Sequence, residues 1–269
     1  MDTAPEGWYQ QLSIKFEDGT VQILHIQRKL TGTHIPERRL TPEPWTALSF
    51  HKCPCCPFPD GPVPCPAALS LQTTMSKLRS RKSFERVTAT AIDAQGRSQT
   101  VEWPLQDVGS ALVQLAVFAS GCPVGRRLKP YLQGLPPFVT SLELSRHVAK
   151  LILQRHGGSI DGARQELAES LAPLHDVFSH LTLRIRTDEQ DKAAEGSAEG
   201  PETLGRDAVP NSITQVDAIA QLLALRSDKL FSQLAADLGW NEKPGQPAAA
   251  QPEDAGLWRK LTGLFRSDP

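Results

Sequence analysis

Residues 51–68 read HKCPCCPFPDGPVPCPAA and hold four of the chain's five cysteines together with six prolines. Proline lacks a backbone N–H and fixes φ, so this stretch can form neither a helix nor a regular strand. The prolines also reduce the conformational entropy of the unfolded loop. The sequence therefore requires an irregular, thiol-rich loop, which a bound group with several bonds could fix where backbone hydrogen bonds cannot.

The cysteine spacing is typical of a metal site. Cys53 and Cys56 form a CxxC pair, Cys65 follows after eight residues, and Cys122 comes much later in the chain. A CxxC turn directs two sulfurs at one centre, and ligands from elsewhere complete the tetrahedron. We therefore interpret Cys53, Cys56, Cys65 and Cys122 as the ligands of a tetrathiolate site.

Several alternatives stay open at this site. Thiolates suit zinc and iron–sulfur clusters alike, and proline directly follows each of the four cysteines, as it often follows iron–sulfur ligands. We favour zinc, with an iron–sulfur cluster as the alternative. Cys55 or His51 could replace one of the four ligands. The cysteines could also be inert, or Cys53 and Cys56 could form a redox pair, although the prolines disfavour the helix N-terminus that would lower a thiolate pKa.

The first half of the chain is predicted to contain strands. Alternating apolar residues predict one β-hairpin over residues 8–29, with its turn at Asp18-Gly19, and a second over residues 84–103. A short strand is predicted over residues 45–50, and a short helix over residues 67–78 follows the cysteine loop.

From residue 107 onward the pattern is helical. A buried helix is predicted over residues 107–120, and a capping box at Thr140 opens another that ends at Gly157. Two more are predicted over residues 162–185, bent or broken at Pro173, and over residues 212–238. The fold class is α+β: N-terminal β-hairpins and a Cys/Pro-rich loop packed with a C-terminal helical half.

Composition divides the chain into one domain and two appendages. We predict a single α+β domain over residues 8–240, within which residues 188–205 form a disordered acidic insertion because they lack large apolar groups. Residues 241–256 are a flexible Pro/Ala-rich linker. Residues 257–266 are a predicted amphipathic tail helix, whose apolar side is formed by Leu257, Trp258, Leu261, Leu264 and Phe265.

Charge and motifs limit the partners and the activity. Lys plus Arg number 29 and Asp plus Glu 30, a balance that disfavours nucleic-acid binding. The tail is predicted to dock on a protein partner, with at most weak membrane-surface contact. The N-terminus lacks signal-peptide features, and the longest apolar run, residues 111–119, is far shorter than the roughly 18 residues of a membrane span. We therefore expect a cytoplasmic protein, and the lack of a catalytic motif favours a non-catalytic one.

Four segments together resemble an uncharacterised bacterial domain family: FHKCPCCP, CPAALSL, ASGCPVGRRLKP and DAVPNSITQVDAIAQLL. The resemblance covers about residues 8–240 and is specific at the cysteine segments, which match CPxCP, CPxAxxL and SGCP. It implies that Cys53, Cys56, Cys65 and Cys122 are the recurring thiols and that Cys55 is not. It implies no activity, and the acidic insertion and the tail depart from the pattern.

These observations lead to one functional hypothesis and two alternatives. The chain is interpreted as a metal-stabilised cytoplasmic adaptor or regulatory protein that uses its tail as a docking element. The first alternative is an iron–sulfur redox or sensor protein with the same four ligands. The second is a thiol oxidoreductase that uses Cys53 and Cys56.

Overall fold

Two β-hairpins and several helices make up the computed structural model, which describes residues 9–25, 27–28, 34–35, 41–61, 63–93, 95–132, 135–194 and 207–240. The strands, in chain order, are β1 (Tyr9–Phe16), β2 (Val21–His25), β3 (Gln27–Arg28), β4 (His34–Ile35), β5 (Arg86–Asp93) and β6 (Ser98–Pro104). The two long hairpins, β1–β2 and β5–β6, lie where the sequence predicts them. The short strands β3 and β4 pair with each other in a separate two-stranded sheet.

The two long hairpins join edge to edge into one antiparallel sheet of order β2-β1-β5-β6. In the central pair, Leu12 lies opposite Ala91 and Ile14 opposite Ala89, and all four side chains are fully buried. Their neighbours along the strands point to the other, more exposed face. This alternation, which was visible in the sequence, places one face of the sheet in the hydrophobic core.

The helices are α1 (Pro66–Met75), α2 (Leu105–Phe118), α3 (Gly125–Leu128), α4 (Ser141–Arg155), α5 (Ile160–Ala194) and α6 (Ala208–Asp237). The α+β class and the helical C-terminal half are thus confirmed. The predicted capping box is present at Thr140, whose hydroxyl accepts from the Glu143 amide while the Glu143 side chain binds the Thr140 N–H. None of the described helices is long and apolar enough to cross a lipid bilayer.

Helix α2 lies at the centre and packs against both α1 and α6. Its contact with α6 requires a glycine, because a Cβ at Gly109 would lie 2.1 Å from Ser212 Oγ. The side chains of Val108, Leu112 and Ala116 have no exposed surface. The prediction that this helix is buried on most sides is therefore correct, and the cysteine-bearing loop after it is anchored to the core.

Two predictions along α5 differ from the structure. Of the bend or break predicted at Pro173, the break is absent, because the helix continues through this residue to Ala194. Residues 188–194 are therefore helical, although the sequence predicts disorder there. Ion pairs explain the extension: Asp188 binds Arg79 at 2.7 Å and Lys192 at 2.8 Å. The remainder of the predicted insertion, residues 195–205, lies outside the described residues, as do the predicted linker and the predicted tail helix.

The predicted strand over residues 45–50 is wrong. Residues Pro44–Thr46 form a 3₁₀ turn, and the hydroxyl and the N–H of Thr46 both donate to the Glu43 carbonyl, at 2.7 and 2.9 Å. Local hydrogen bonds thus compete with strand pairing in this segment. The carbonyl groups of Trp45, Ala47 and Leu48 accept hydrogen bonds from the side chain of Arg184 on α5.

Candidate functional site

The cysteine loop has no regular secondary structure, but its ends are tied together. Ala47 and Pro64 form an isolated antiparallel bridge, and the Cys65 N–H donates to the Thr46 carbonyl at 2.7 Å. Inside the loop, the Cys56 N–H donates to the Cys53 carbonyl at 3.0 Å. The CxxC pair therefore closes a tight turn, as its sequence predicts.

Cys65 begins helix α1. It is the N-cap residue, and Pro66 occupies the first helical position, where proline is favoured because its missing N–H would have no helical partner. Pro66 also contacts the loop after α2: a Cβ at Gly121 would lie 3.4 Å from the Pro66 Cβ. Since Cys122 follows Gly121 directly, this contact brings the fourth predicted ligand to the same region as Cys65.

The Cys122 sulfur lies at the start of the short helix α3. The backbone N–H groups of Gly125 and Val124 bond to it; burial raises the pKa of the Cys122 thiol and these two bonds oppose that rise. A glycine is required at position 125, because a Cβ there would lie 2.4 Å from the Val117 carbonyl oxygen. The close approach to α2 therefore fixes the turn that presents this sulfur.

Three of the thiols from these segments are buried in the hydrophobic core. All five cysteines are free, and Cys53, Cys65 and Cys122 are buried. Burial raises the pKa of Cys53 to about 12, with further contributions from the charges of Cys65, Cys55 and Cys122. The contact between Pro66 and Gly121 places Cys65 and Cys122 in the same region, and the charge of Cys56 also raises the pKa of Cys122.

Cys55 differs from the other four. Its sulfur donates to the Pro173 carbonyl of α5 at 3.5 Å. Its pKa is raised chiefly by burial and next by the charge of Asp176, also on α5. This thiol is therefore occupied by a helix contact. His51, the other spare ligand, has a left-handed backbone with φ of 48°, and its carbonyl accepts from His180 Nδ1 at 3.0 Å.

A buried arginine lies beside the thiols. Arg184 of α5 is 1% exposed and donates to the carbonyls of Trp45, Ala47 and Leu48 at 2.9, 2.6 and 3.2 Å. Its Nε has no partner, and no carboxylate in the described part of the chain pairs with it. Burial lowers the pKa of the guanidinium, whereas the charges of three cysteines raise it: Cys65, Cys53 and Cys56.

A comparison with protein-family models matches residues 11–227 to a Domain of unknown function (DUF6901). The chain belongs to the DUF6901 family. This agrees with the resemblance to an uncharacterised domain family. Comparisons with curated proteins and with solved structures gave no match.

The DUF6901 match contains the whole candidate site, including Arg184, and ends before the predicted linker and tail. Sequence reasoning did not single out Arg184, although a signal for it exists. The apolar stripe of α5 includes Val177, Phe178, Leu181 and Ile185, all buried, and Arg184 lies among them at helical spacing. A charged residue on a buried stripe of a helix is expected to bind polar groups inside the core.

The structure does not bring every chemically capable residue to this site. His156 binds Glu166 at 2.6 Å, and the Tyr131 hydroxyl donates to the same carboxylate. His175 binds Asp217 at 3.0 Å on the surface. The predicted docking residues Leu257, Trp258, Leu261, Leu264 and Phe265 lie outside the described residues.

Buried thiols and one buried cation, Arg184, lie in this part of the protein, but no three His, Cys, Asp or Glu side chains among the described residues are grouped as a metal site requires. The tetrathiolate centre therefore stays a prediction. The sulfurs of Cys53, Cys56, Cys65 and Cys122 are the groups that could hold a metal ion or cluster.

Proposed function

We propose that this DUF6901 domain is a non-catalytic, metal-stabilised adaptor or regulatory protein of the cytoplasm. Zinc is the favoured metal, held by Cys53, Cys56, Cys65 and Cys122. One observation supports the proposal: Cys53, Cys65 and Cys122 from separate segments are buried, and the segment that binds the Cys65 N–H also binds Arg184, a buried cation that has no carboxylate partner in the described part of the chain.

The charge balance supports a metal in particular. A guanidinium keeps its proton in proteins, and burying an unpaired charge is costly. Neutral carbonyls solvate Arg184 but do not neutralise it. Four thiolates outweigh the charge of one divalent ion, so a tetrathiolate zinc centre is an anion. Such a centre beside Arg184 would supply the missing negative charge without any ionised side chain besides the cysteines.

The alternative is an iron–sulfur redox or sensor protein that uses the same four cysteines. Its specific support is the proline after each of them, which narrows the access of water to a cluster. A thiol oxidoreductase has less support, because burial raises the pKa of Cys53 to about 12 and a reactive cysteine needs a lowered thiol pKa.

The adaptor part of the proposal rests on the sequence of the tail. Leu257, Trp258, Leu261, Leu264 and Phe265 would form one apolar side of a helix carried on a flexible linker. Apolar anchors at such spacing are typical of a peptide that lies in a groove of a protein partner. A metal-stabilised domain with a tethered docking helix fits a scaffolding or regulatory role.

The metal is tested by elemental analysis and a visible spectrum of anaerobically purified protein, beside two variants. Cys65→Ser removes a proposed ligand, and Cys55→Ser is the matched control in the same loop. We expect about one zinc per chain in the wild type and in Cys55→Ser. Cys65→Ser should lose zinc and unfold at lower urea concentration.

Three other results would change the metal proposal, each in a different way. Iron with sulfide and visible absorption bands would replace zinc by the cluster alternative. A wild-type protein without metal, together with an equally stable Cys65→Ser variant, would overturn both metal readings. Loss of metal in Cys55→Ser and retention in Cys65→Ser would show that the ligand set is wrong.

A further inference from the structure

Helices α4 and α6 enclose an open groove with an apolar lining. Its volume is about 680 Å³, and its apolar side chains include Leu142 on α4 and Ile219, Leu222 and Leu230 on α6. Leu142 and Leu222 are each 49% exposed. Large apolar side chains that share an accessible, concave surface form a patch of the kind that marks contact sites.

The residues that α6 contributes to the groove follow one side of the helix. Five of them are separated alternately by three and four positions: Ile219, Leu222, Arg226, Lys229 and Gln233. This spacing produces a straight seam, against which a second helix can pack. The seam is about 21 Å long at 1.5 Å per residue, which is the length of a helix of about fifteen residues.

The groove carries charge of one sign. Arg146 of α4 and Arg226 and Lys229 of α6 contribute to its lining, and none of the lining residues that the structure describes is an aspartate or a glutamate. All three cations are exposed. None of them forms an ion pair with another residue in the described ranges. Their positive charge is therefore available to a partner.

Two carboxylates of α6 face a different helix. Asp217 binds His175 of α5 at 3.0 Å, and Asp228 binds Arg164 of α5. On α4, Glu143 is held in the capping box described above. Helix α6 thus directs two of its acidic residues to α5 and both of its basic residues to the groove. An acidic partner would match this separation, because complementary potentials favour association and exclude partners of the wrong charge.

We propose that the α4–α6 groove binds an acidic amphipathic helix of a partner protein. The apolar stripe of that helix covers the leucines, and its flanking carboxylates lie against Arg146, Arg226 and Lys229. Recognition of a helix in a groove commonly combines apolar anchors at helical spacing with charges at the rim. The inference goes beyond the proposed function, since neither the metal nor the tail takes part in this contact.

Two segments of the chain itself lack the required chemistry. Residues 257–266 contain no carboxylate and carry the same sign of charge as the groove, through Arg259, Lys260 and Arg266. Residues 195–205 are acidic but have a single large apolar side chain. A lipid surface also matches poorly, because bilayers are contacted by protruding apolar side chains, whereas these leucines line a concave groove. The occupant is therefore expected to be a segment of another protein.

Fluorescence anisotropy with the full-length protein and two labelled synthetic peptides tests the proposal. Each peptide is a helix of about fifteen residues, with leucines alternately three and four positions apart and a hydrocarbon staple that keeps it helical. The flanking positions carry glutamate in one peptide and lysine in the other. We expect the glutamate peptide to bind at least about tenfold more tightly, because only its charge complements the groove. This preference should shrink at about 1 M salt, where exposed charges are screened.

Two pairs of substitutions assign the binding to the groove. Arg226→Glu should weaken binding of the glutamate peptide about tenfold and strengthen binding of the lysine peptide. Arg186→Glu, at an exposed position of α5 outside the groove, should change neither. Leu222→Ser should weaken both peptides about tenfold, because it removes an apolar contact. Leu183→Ser, at a position on α5 that is 43% exposed, should have no effect. Unchanged urea midpoints check that the variants are folded.

Three results would overturn the inference. The first is equal affinity for the two peptides, or no binding of the glutamate peptide. The second is binding that Arg226→Glu and Leu222→Ser leave unchanged. The third is binding to vesicles of phosphatidylcholine and phosphatidylserine that Arg226→Glu abolishes, together with no binding of either peptide. That result would identify the groove as a lipid contact.

Discussion

Two arginines hold the segment around Trp45 in different ways. Arg79 binds the carboxylates of Glu43 at 3.2 Å and Asp188 at 2.7 Å and lies over the Trp45 ring, 5.4 Å from its centroid. Arg184 binds only carbonyls of the same segment and is almost fully buried. Both connect this segment to the rest of the domain, but only Arg79 has counter-charges.

The difference shows which part of the domain is electrostatically complete. Lys192 also joins the Arg79 network, binding Asp188 at 2.8 Å and Glu43 at 3.1 Å, so positive and negative charges alternate there. Around Arg184 the ionisable neighbours are cysteines, which are neutral thiols unless something ionises them. The charge balance of this region therefore depends on the state of the thiols, which the proposed metal would fix.

The largest expected effect separates these two arginines. In the metal-loaded protein, Arg184→Met should lower the free energy of unfolding by roughly 3–5 kcal/mol, because it leaves the buried negative charge of the proposed thiolate–metal centre unpaired. Arg79→Met should cost about 1 kcal/mol or less, as for a partly exposed ion pair, since Lys192 still binds Asp188. Urea unfolding of both variants beside the wild type measures the difference.

Measuring the cost of both substitutions with and without metal turns this comparison into a thermodynamic cycle. If Arg184 neutralises an anionic metal centre, chelation should shrink the cost of Arg184→Met by about 1.4 kcal/mol or more, a tenfold coupling in zinc affinity. Arg79→Met should cost the same with and without metal. Equal costs of Arg184→Met in both states would mean that Arg184 only holds the backbone carbonyls.

Locally encoded features could be predicted from the sequence. The two long hairpins follow from alternating apolar residues and turn glycines such as Gly19, which has φ of 81°. The start of α4 follows from the Thr140 capping box, and the CxxC turn follows from the spacing of Cys53 and Cys56. Each of these features depends on residues that are neighbours in the chain, so a local pattern is sufficient.

Features set by distant residues could not be predicted in the same way. Residues 45–50 have strand-forming composition, but their carbonyls bind Arg184, which is 136–139 positions away. Likewise, residues 188–194 read as a disordered acidic segment until Arg79 supplies the pairing for Asp188. The grouping of Cys65 and Cys122 as ligands stays a prediction from ligand chemistry, and the packing of Gly121 on Pro66 has no signal in the local sequence.

An intermediate effect is expected where the Cys122 turn meets α2. Gly125→Ala should cost roughly 1–3 kcal/mol of stability, as overpacked positions do, because its Cβ would lie 2.4 Å from the Val117 carbonyl oxygen. Since the clash displaces the turn that holds Cys122, zinc affinity should also fall by about tenfold, as it does when groups that orient a ligand are lost. Chelator competition and urea unfolding measure the two effects.

Gly121→Ala is the matched control for this prediction. It lies four positions earlier in the same loop, and its Cβ would make only an ordinary 3.4 Å contact with Pro66. Stability and zinc affinity should stay close to the wild type. Equal losses in both variants would mean that the whole loop is sensitive to substitution and that the turn at Gly125 has no special role.

The smallest effect is expected at Asp18, an ion pair at the surface that contrasts with buried Arg184. The Thr20 hydroxyl donates to the Asp18 carboxylate at 2.6 Å and Arg81 donates at 2.7 Å, and these bonds lower the pKa of Asp18 from 3.8 to about 2. A lowered folded-state pKa adds stability above the unfolded value, and this stability is lost as the pH falls through the folded value. The stability difference between wild type and Asp18→Asn should therefore be constant at neutral pH and shrink between about pH 4 and pH 2.

An NMR titration of the Asp18 carboxyl carbon, with urea unfolding of Asp18→Asn, checks this expectation. A midpoint near 3.8 would contradict the bonding seen at this turn.

The dependence of stability on salt gives the remaining contrast. Because Asp18 and Arg81 meet at the surface, the effect of Asp18→Asn should weaken at about 1 M salt, where the screening length is about 3 Å. The cost of Arg184→Met should change little, since salt ions do not reach a guanidinium that is 1% exposed. Equal salt sensitivity of the two variants would remove the distinction between a surface charge balanced by its own neighbours and a buried one balanced by the thiols.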